Sequence, residues 1–295
     1  AGQDPSGKMA EQQADELMAK AEKKLKGGMF GSLFGSKKED AIELFQEAAN
    51  KYKQAKRWSS CGDAHRKSAE LQLAINDKFG AASSFQAAFQ AYKKDAGSST
   101  VAVECLNQAI DLHINNGRFS QAAKFHKEAG ELFESDLNYP KAIEHFQLAG
   151  DYYKGEDQTS SSNQCFLRVA VLSAEQEQYS RAIEVFESVA SSSLDVALLK
   201  WSVKDYFFQA GLCHLATGDI IAFKRAVDRY QDLDVSFSDT RECKLLQDLG
   251  EAYEEQDVEK FTNAVFEFDQ ISKLDKWKTS LLLKVKNQLK DSDLT

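Results

Sequence analysis

The apolar positions of the chain follow a repeat of about 20 residues, in which a small residue recurs and a large apolar residue often stands four positions later. Positions i and i+4 share one face of a helix, so each unit presents a notch beside a bulky side chain. The small residues form two series that are offset by one position: Ala41, Cys61 and Ala81, then Ala102, Ala122, Ala142, Ser162, Ala182, Ser202 and Ala222. The large partners are Phe45, Phe85, Leu106, Phe146, Phe186 and Tyr206.

This interval predicts helical hairpins. About 20 residues accommodate one helix of roughly 15 residues and a short turn, and two such units make a hairpin of about 40 residues, longer than a tetratricopeptide unit but built on the same logic. The chain has only two prolines, and Tyr139-Pro140 places the second where a helix is expected to begin. We therefore predict an all-α fold, a tetratricopeptide-like solenoid of helical hairpins with a C-terminal helical-bundle cap.

The repeat also suggests boundaries. Residues 1–8, ahead of Met9, are interpreted as a cloning remnant, and residues 9–236 as the solenoid. The series of small residues fails at Glu242, so residues 237–290 are predicted to form the C-terminal helical bundle. Residues 291–295 are expected to be a flexible tail.

Composition narrows the function classes. Apolar residues make up 42% and charged residues 28% of the chain, as in soluble globular proteins, and no apolar run of membrane-spanning length occurs. The net charge of −9 argues against nucleic acid as the main partner. The first residues do not form a secretory signal, and five scattered cysteines indicate reduced thiols. A cytoplasmic protein, peripheral on membranes, is the expectation.

No pattern of residues predicts catalysis. The five histidines lack the HExxH spacing, and no metal-binding pattern of cysteines is present. The segment from Gly31 to Lys37 has too few residues between its glycines for a phosphate-binding loop. We therefore expect an interaction module, not an enzyme, with no cofactor and no metal.

Residues 27–36 form an unusually apolar loop, in which Met29, Phe30, Leu33 and Phe34 are surrounded by Gly and Ser. Lysines stand on both sides of it: Lys23, Lys24, Lys26, Lys37 and Lys38. Apolar side chains inside a basic collar are typical of reversible membrane contact, because the lysines gain from anionic lipid while the rings enter the interface. The alternative is a loop that folds back onto the first hairpin.

Two charged features indicate protein partners. Cations recur about once per hairpin, at Lys56, Lys94, Lys124, Arg168, Lys204 and Arg241. A solenoid places equivalent positions along one face, so these residues could form a basic stripe for an elongated acidic partner, although chance spacing of solvated charges is the competing explanation. The stretch from Asp232 to Glu259 is strongly acidic and offers a second surface of opposite sign.

Several long strings distributed from about Met9 to the C-terminus carry a resemblance. They are residues 151–156 (DYYKGE), 204–208 (KDYFF), 237–239 (FSD) with 241–245 (RECKL), and Leu274-Asp275 with Trp277. The chain resembles the soluble NSF attachment proteins of the alpha type and its fungal counterpart. That resemblance implies an adaptor, several copies of which coat a SNARE four-helix bundle of the syntaxin, SNAP-25 and synaptobrevin type. The adaptor recruits the hexameric ATPase NSF, which then disassembles the SNARE complex in vesicle fusion and intracellular trafficking.

The resemblance also implies roles for residues. The SNARE-facing cations of the family fall on the six residues of the spaced set, and one further family lysine is replaced here by Gln164. The apolar loop, with Phe30 and Phe34, would touch membrane. The NSF-facing residues fall on Glu251, Glu254, Glu255 and Leu294, and Thr295 departs from the usual family terminus. The alternative from a different functional class is a generic tetratricopeptide-like cochaperone that binds peptide C-termini.

Overall fold

The protein is described by a computed structural model covering residues 5–26, 34–95 and 97–292. All regular structure within these ranges is helical. The helices are α1 (Pro5–Lys26), α2 (Phe34–Gln54), α3 (Trp58–Ala74), α4 (Lys78–Tyr92), α5 (Ser99–Ile114), α6 (Phe119–Ser135), α7 (Tyr139–Gly155), α8 (Thr159–Glu175), α9 (Tyr179–Leu194), α10 (Val203–Ala216), α11 (Ile220–Leu233), α12 (Arg241–Glu254), α13 (Val258–Ile271) and α14 (Lys276–Ser292). Short 3₁₀ turns precede α10 and α12. The predicted all-helical, hairpin-based fold class is confirmed.

The chain forms two compact units, an N-terminal unit up to Leu137 and a C-terminal unit from Asn138. The N-terminal unit contains α1 to α6, and the C-terminal unit contains α7 to α14. Consecutive helices within each unit pack against each other. The boundary that the sequence predicts at residue 237 remains a prediction.

Side-chain contacts show that neighbouring helices of the N-terminal unit are antiparallel. Arg57, after α2, contacts Glu11 near the start of α1 at 2.7 Å (Nε to Oε1). Lys38, near the start of α2, donates to the carbonyl of Ala74 at the end of α3 (3.3 Å). The α3–α4 and α5–α6 turns therefore lie at one end of the unit, which we call the loop end because α1 finishes and α2 begins there. The α2–α3 and α4–α5 turns lie at the opposite end.

The repeat of small residues describes the packing up to α9. Its first eight members, from Ala41 to Ala182, are buried, and so are the large partners from Phe45 to Phe186. The last two members differ: Ser202 lies in a 3₁₀ turn and Ala222 is only partly buried. The connection between α9 and α10 is longer than the preceding turns, so the register shifts and Val203 and Phe207 become the buried positions.

The C-terminal unit has one continuous apolar core that includes residues from α8 to α14. Phe207 stacks on Tyr230 with ring centroids 4.6 Å apart, and Trp277 stacks on Phe186 at 6.0 Å. Leu281, Leu282, Val285 and Leu289 are all buried, so α14 is the amphipathic helix that its sequence predicts. The last helix therefore completes a core that the preceding hairpins leave open.

Two helix starts differ from the sequence interpretation. α1 begins at Pro5, so residues 5–8 form its first turn, and their interpretation as a cloning remnant stays a prediction. α2 begins at Phe34, so residues 34–36 are helical and not part of the predicted loop. Proline is well accommodated at the first position of a helix, which explains the early start of α1.

Candidate interaction surfaces

Two of the predicted cations lie at the end of the N-terminal unit that is opposite to the loop end. Lys56 is exposed in the α2–α3 turn, where it adopts a positive φ of 56°. Lys94 is exposed in the α4–α5 connection, and its Nζ lies 4.4 Å from the ring centroid of Trp58, the first residue of α3. The hydrogen bond from the Tyr92 hydroxyl on α4 to Asp63 on α3 (2.7 Å) links the helices that carry these residues. At this end of the unit one cation, Lys94, lies over an aromatic ring, and a second cation, Lys56, is exposed in a turn.

The next two predicted cations lie on helices and not in turns. Lys124 is exposed on α6, between the buried residues Ala123 and Phe125. Arg168 is partly buried on α8, and Gln164 is exposed one helical turn before it. These residues belong to different units, since α6 ends the N-terminal unit and α8 lies in the C-terminal unit.

Lys204 and Arg241 come together in the C-terminal unit, and both already have partners. The Lys204 ammonium pairs with Glu242 at 2.8 Å, and that carboxylate is only 8% exposed. Arg241 donates to the Ser272 hydroxyl at 2.9 Å and lies 5.2 Å from the centroid of the Phe268 ring. Lys204 therefore neutralises a buried carboxylate, in addition to any role in binding.

Sequence reasoning missed two exposed apolar residues next to Lys204. Leu198 is 91% exposed and Trp201 is 85% exposed, both in the connection between α9 and α10. Large side chains this exposed are typical of interaction surfaces when charged residues surround them. The sequence does contain an indication of this surface, the apolar cluster Leu198-Leu199-Lys200-Trp201. The 20-residue repeat assigns this segment to a helix, so the cluster was not recognised.

The predicted acidic residues lie together at the C-terminal end of α12. Glu251, Glu254 and Glu255 are all exposed. Lys260 pairs with both Glu251 (3.1 Å) and Glu255 (2.9 Å), and Lys224 pairs with Glu254. These hydrogen bonds raise the pKa of Lys260 above its ordinary value. The acidic surface is therefore real but partly neutralised by two lysines of the same chain.

The remaining predicted contacts fall largely outside the described residues. Met29, Phe30 and Leu33 lie in residues 27–33, and Leu294 lies in residues 293–295. Phe34 begins α2, but its side chain is also outside the description. The membrane and C-terminal contacts at these residues stay predictions.

The cysteines and Glu187 are enclosed by the fold, and the surroundings of Cys105 and Glu187 shift their pKa values. All five cysteines are buried, and burial raises the pKa of Cys105 to about 11. Burial opposes ionisation of Glu187, yet hydrogen bonds from His214 and Tyr230 and the charge of Arg229 keep the pKa of this carboxyl below its ordinary value. Across residues 5–26, 34–95 and 97–292, no three His, Cys, Asp or Glu side chains form a metal-binding group. None of the helices in these ranges is long and apolar enough to cross a membrane.

Comparison with known proteins identifies close relatives over nearly the whole chain. The family model for "Soluble NSF attachment protein, SNAP" matches residues 12–290. The mouse alpha-soluble NSF attachment protein is 45% identical over 98% of this chain and 98% of its own. The probable vesicular-fusion protein sec17 homolog of Schizosaccharomyces pombe is 42% identical over 95% of this chain and 97% of its own. A solved ATPase with a tetratricopeptide repeat sensor from Pyrococcus horikoshii aligns with 96% of this chain and 46% of its own, at a TM-score of 0.47 and 14% identity.

Proposed function

Because this chain belongs to the soluble NSF attachment protein family, we propose that it is an adaptor that binds assembled SNARE bundles and recruits NSF to them. The observation that carries this proposal is the match of 45% identity along 98% of both chains, because it extends through both units of the fold. ATP hydrolysis by NSF then supplies the energy for disassembly. The chain itself acts by binding, as an adaptor and not an enzyme, and takes part in vesicle transport and membrane fusion.

The SNARE-facing surface combines charge with apolar contact. In the N-terminal unit Lys94 lies over the ring of Trp58, which stands two residues after Lys56 in the chain, and in the C-terminal unit Lys204 lies close in sequence to the exposed Leu198 and Trp201. Exposed charges contribute little individually and are screened by salt, whereas exposed aromatic side chains can act as anchors. Multiple copies per SNARE complex, together with membrane contact by the apolar loop, would add avidity to these modest contacts.

The NSF-facing surface is the acidic end of α12, together with the C-terminal Leu294. Glu251, Glu254 and Glu255 project from one helix end, so a basic surface of the ATPase can contact all three at once. Such a contact must compete with Lys224 and Lys260, which pair with the same carboxylates. The internal pairs therefore moderate the affinity for the ATPase.

The basic surface is tested by the double variant Lys124→Glu with Arg168→Glu. These positions are preferred to Lys204, because reversing the charge at Lys204 would place a second carboxylate beside the buried Glu242 and destabilise the unit. We expect a loss of about tenfold or more in affinity for a soluble SNARE bundle, with an unchanged circular dichroism spectrum. Binding is measured by co-purification and by titration at two salt concentrations.

A matched control reverses two exposed cations outside the proposed surface, Lys20 on α1 and Arg225 on α11. The variant Lys20→Glu with Arg225→Glu changes the net charge by the same amount and should bind the bundle like the unaltered chain. Equal loss in both variants would show that total charge, and not the predicted basic surface, governs binding. Unchanged binding by the Lys124 and Arg168 variant would remove that surface from the proposal.

A further inference from the structure

The loop end of the N-terminal unit exposes an aromatic ring next to two cations. Phe79, in the first turn of α4, is 64% exposed. The guanidinium of Arg118, from the α5–α6 turn, lies 5.1 Å from the centroid of its ring. Lys78, the residue before Phe79, is also exposed. We call Lys78, Phe79 and Arg118 the turn edge.

The core does not require Phe79. The buried face of α4 is formed by Ala81, Ala82, Phe85, Ala88 and Phe89, and Phe79 precedes that face at the helix start. Trp58 begins α3 in a comparable way at the opposite end of the unit, but it is partly buried and Lys94 lies over its ring. The ring of Phe79 is therefore available for a contact outside the unit, next to the guanidinium of Arg118.

The charges around the turn edge favour an anionic partner. Among the described residues, neither Lys78 nor Arg118 is paired with a carboxylate. The nearest acidic side chain in sequence, Asp77, is used internally, since it accepts the backbone N–H of Gly80 at 2.9 Å. Lys78 and Arg118 line a cleft of about 450 Å³ together with Asp77, and the amide of Asn116 in the same cleft already donates to a backbone carbonyl of α5 at 2.7 Å. Two cations that share a cleft can together bind a phosphate group.

The turn edge also lies where α2 begins. Lys38 on α2 reaches the carbonyl of Ala74 at the end of α3, and Lys24 at the end of α1 pairs with Asp40 on α2. These contacts place the start of α2 and the α3–α4 turn at the same end of the unit. The lysines that flank the apolar loop in sequence and the cations of the turn edge are thus at one end.

We propose that this end of the N-terminal unit is a membrane-facing surface, on which Phe79 enters the lipid interface and Lys78 and Arg118 bind headgroup phosphates of anionic lipids. An apolar side chain with flanking cations gains from both burial and surface charge at such a membrane. The inference rests on the proposed membrane contact of the apolar loop and extends it. Two contacts on one unit would restrict how the protein is oriented on the bilayer, which a single loop would not do.

The first test measures co-sedimentation of the full-length chain with phosphatidylcholine vesicles that do or do not contain phosphatidylserine. The variants Phe79→Ser and Lys78→Glu with Arg118→Glu should each bind the anionic vesicles about tenfold or more weakly. Leu137→Ser is the matched control, because Leu137 is 71% exposed in a turn at the opposite end of the unit, and it should bind normally. A thermal unfolding curve for each variant checks that the fold is retained.

A second measurement reports insertion directly. All five native cysteines are buried, so Phe79→Cys can be labelled selectively with an environment-sensitive fluorophore, and Leu137→Cys serves as its control. Anionic vesicles should shift the emission of the label at position 79 to shorter wavelength and leave the label at position 137 unchanged. If the unaltered chain binds the vesicles and the label at position 79 shows no shift, the proposal that the turn edge contacts lipid is wrong.

The loop variant Phe30→Ser with Phe34→Ser separates this inference from the proposal beneath it. If the loop variant loses vesicle binding and both turn-edge variants bind normally, the proposed lipid contact of the turn edge is wrong. The apolar loop then remains as the membrane contact. Loss in both sets supports a shared surface. Absence of vesicle binding by the unaltered chain would overturn both membrane contacts, while leaving the SNARE and NSF contacts to be judged on soluble bundles.

Discussion

His65 on α3 is held in its neutral form by its surroundings. Burial lowers its pKa from 6.5 to about 4, and the charge of nearby Lys53 acts in the same direction. The unfolded chain exposes this imidazole and lets it titrate near its ordinary pKa. Between those two values the unfolded state therefore binds more protons than the folded state.

This difference predicts a loss of stability in acid. As the pH falls from about 6.5 to 4, protonation of His65 in the unfolded state should reduce the free energy of unfolding by at most about 3 kcal/mol. Replacing His65 with Gln should reduce the pH dependence in this window, as measured by urea unfolding at several pH values. An identical slope in both proteins would show that His65 titrates normally in the folded state.

Gly150 on α7 allows a close approach between neighbouring helices. A methyl group at this position would lie 2.6 Å from a ring carbon of Phe166 on α8. The Ser162 hydroxyl donates to the carbonyl of the same glycine at 2.9 Å, so the two backbones cannot separate freely. The absence of a side chain is thus a packing requirement.

Gly150→Ala should lower the free energy of unfolding by about 1–3 kcal/mol, because the inserted methyl group overpacks the α7–α8 contact. Gly155 lies at the end of the same helix, and a methyl group there would meet no neighbouring side chain within 4 Å. Gly155→Ala should therefore be neutral or slightly stabilising. Chemical unfolding of both variants makes the comparison, and an equal effect at the two positions would refute the packing explanation.

Turns between helices show what the sequence could and could not predict at the next scale. The 20-residue interval predicted the helices, and Gly117 and Gly218 adopt the positive φ that favours glycine in turns. Several other turns place a side-chain-bearing residue in the same conformation, among them Asn76, Leu137 and Glu177. Asparagine is enriched in this conformation, but Leu and Glu are not, so residue type does not mark the turns at Leu137 and Glu177 in advance.

The ion pairs between helices could not be predicted from the sequence either. Spacing predicted Lys204 and Arg241 as members of a basic stripe, and the family resemblance implied the role of Glu254, but neither could show which residue of another helix each one meets. The structure assigns Glu242 to Lys204 and Lys224 to Glu254. Phe79 was missed for a related reason, since exposure of a single aromatic residue depends on which helix face the core uses.

Lys260 on α13 controls how much negative charge α12 presents. Its ammonium contacts both Glu251 and Glu255. Lys260→Ala should leave these two carboxylates unpaired and strengthen binding to NSF by about a few-fold, with a steeper dependence on salt, because exposed ion pairs are weak and screened. Binding by surface-immobilised NSF makes the measurement. Weaker binding would mean that Lys260 itself contacts the ATPase or that the acidic surface is not used.

Lys273→Ala provides the comparison. Lys273 is an exposed lysine that pairs with Asp269, away from the three glutamates in sequence. Its removal changes the net charge equally and should leave NSF binding close to that of the unaltered chain. Strengthening in both variants would indicate a general charge effect.

The whole molecule combines surfaces of opposite sign on a net acidic chain. We propose that cations and apolar residues of both units contact the SNARE bundle, and that the exposed acidic end of α12 contacts the ATPase. Long sequence strings spread along the chain made the family recognisable, whereas the local geometry of each surface needed the structure. Residue types alone predicted the sign of each surface but not its existing partners.

The central claim is that the chain couples NSF to SNARE bundles, and disassembly of a preformed soluble SNARE bundle by NSF and ATP tests it most directly. With this chain present, the bundle should dissociate, and without it the bundle should persist. Leu294→Ala should bind the bundle normally and fail to support dissociation. A bundle that persists with NSF, ATP and this chain all present would contradict the account.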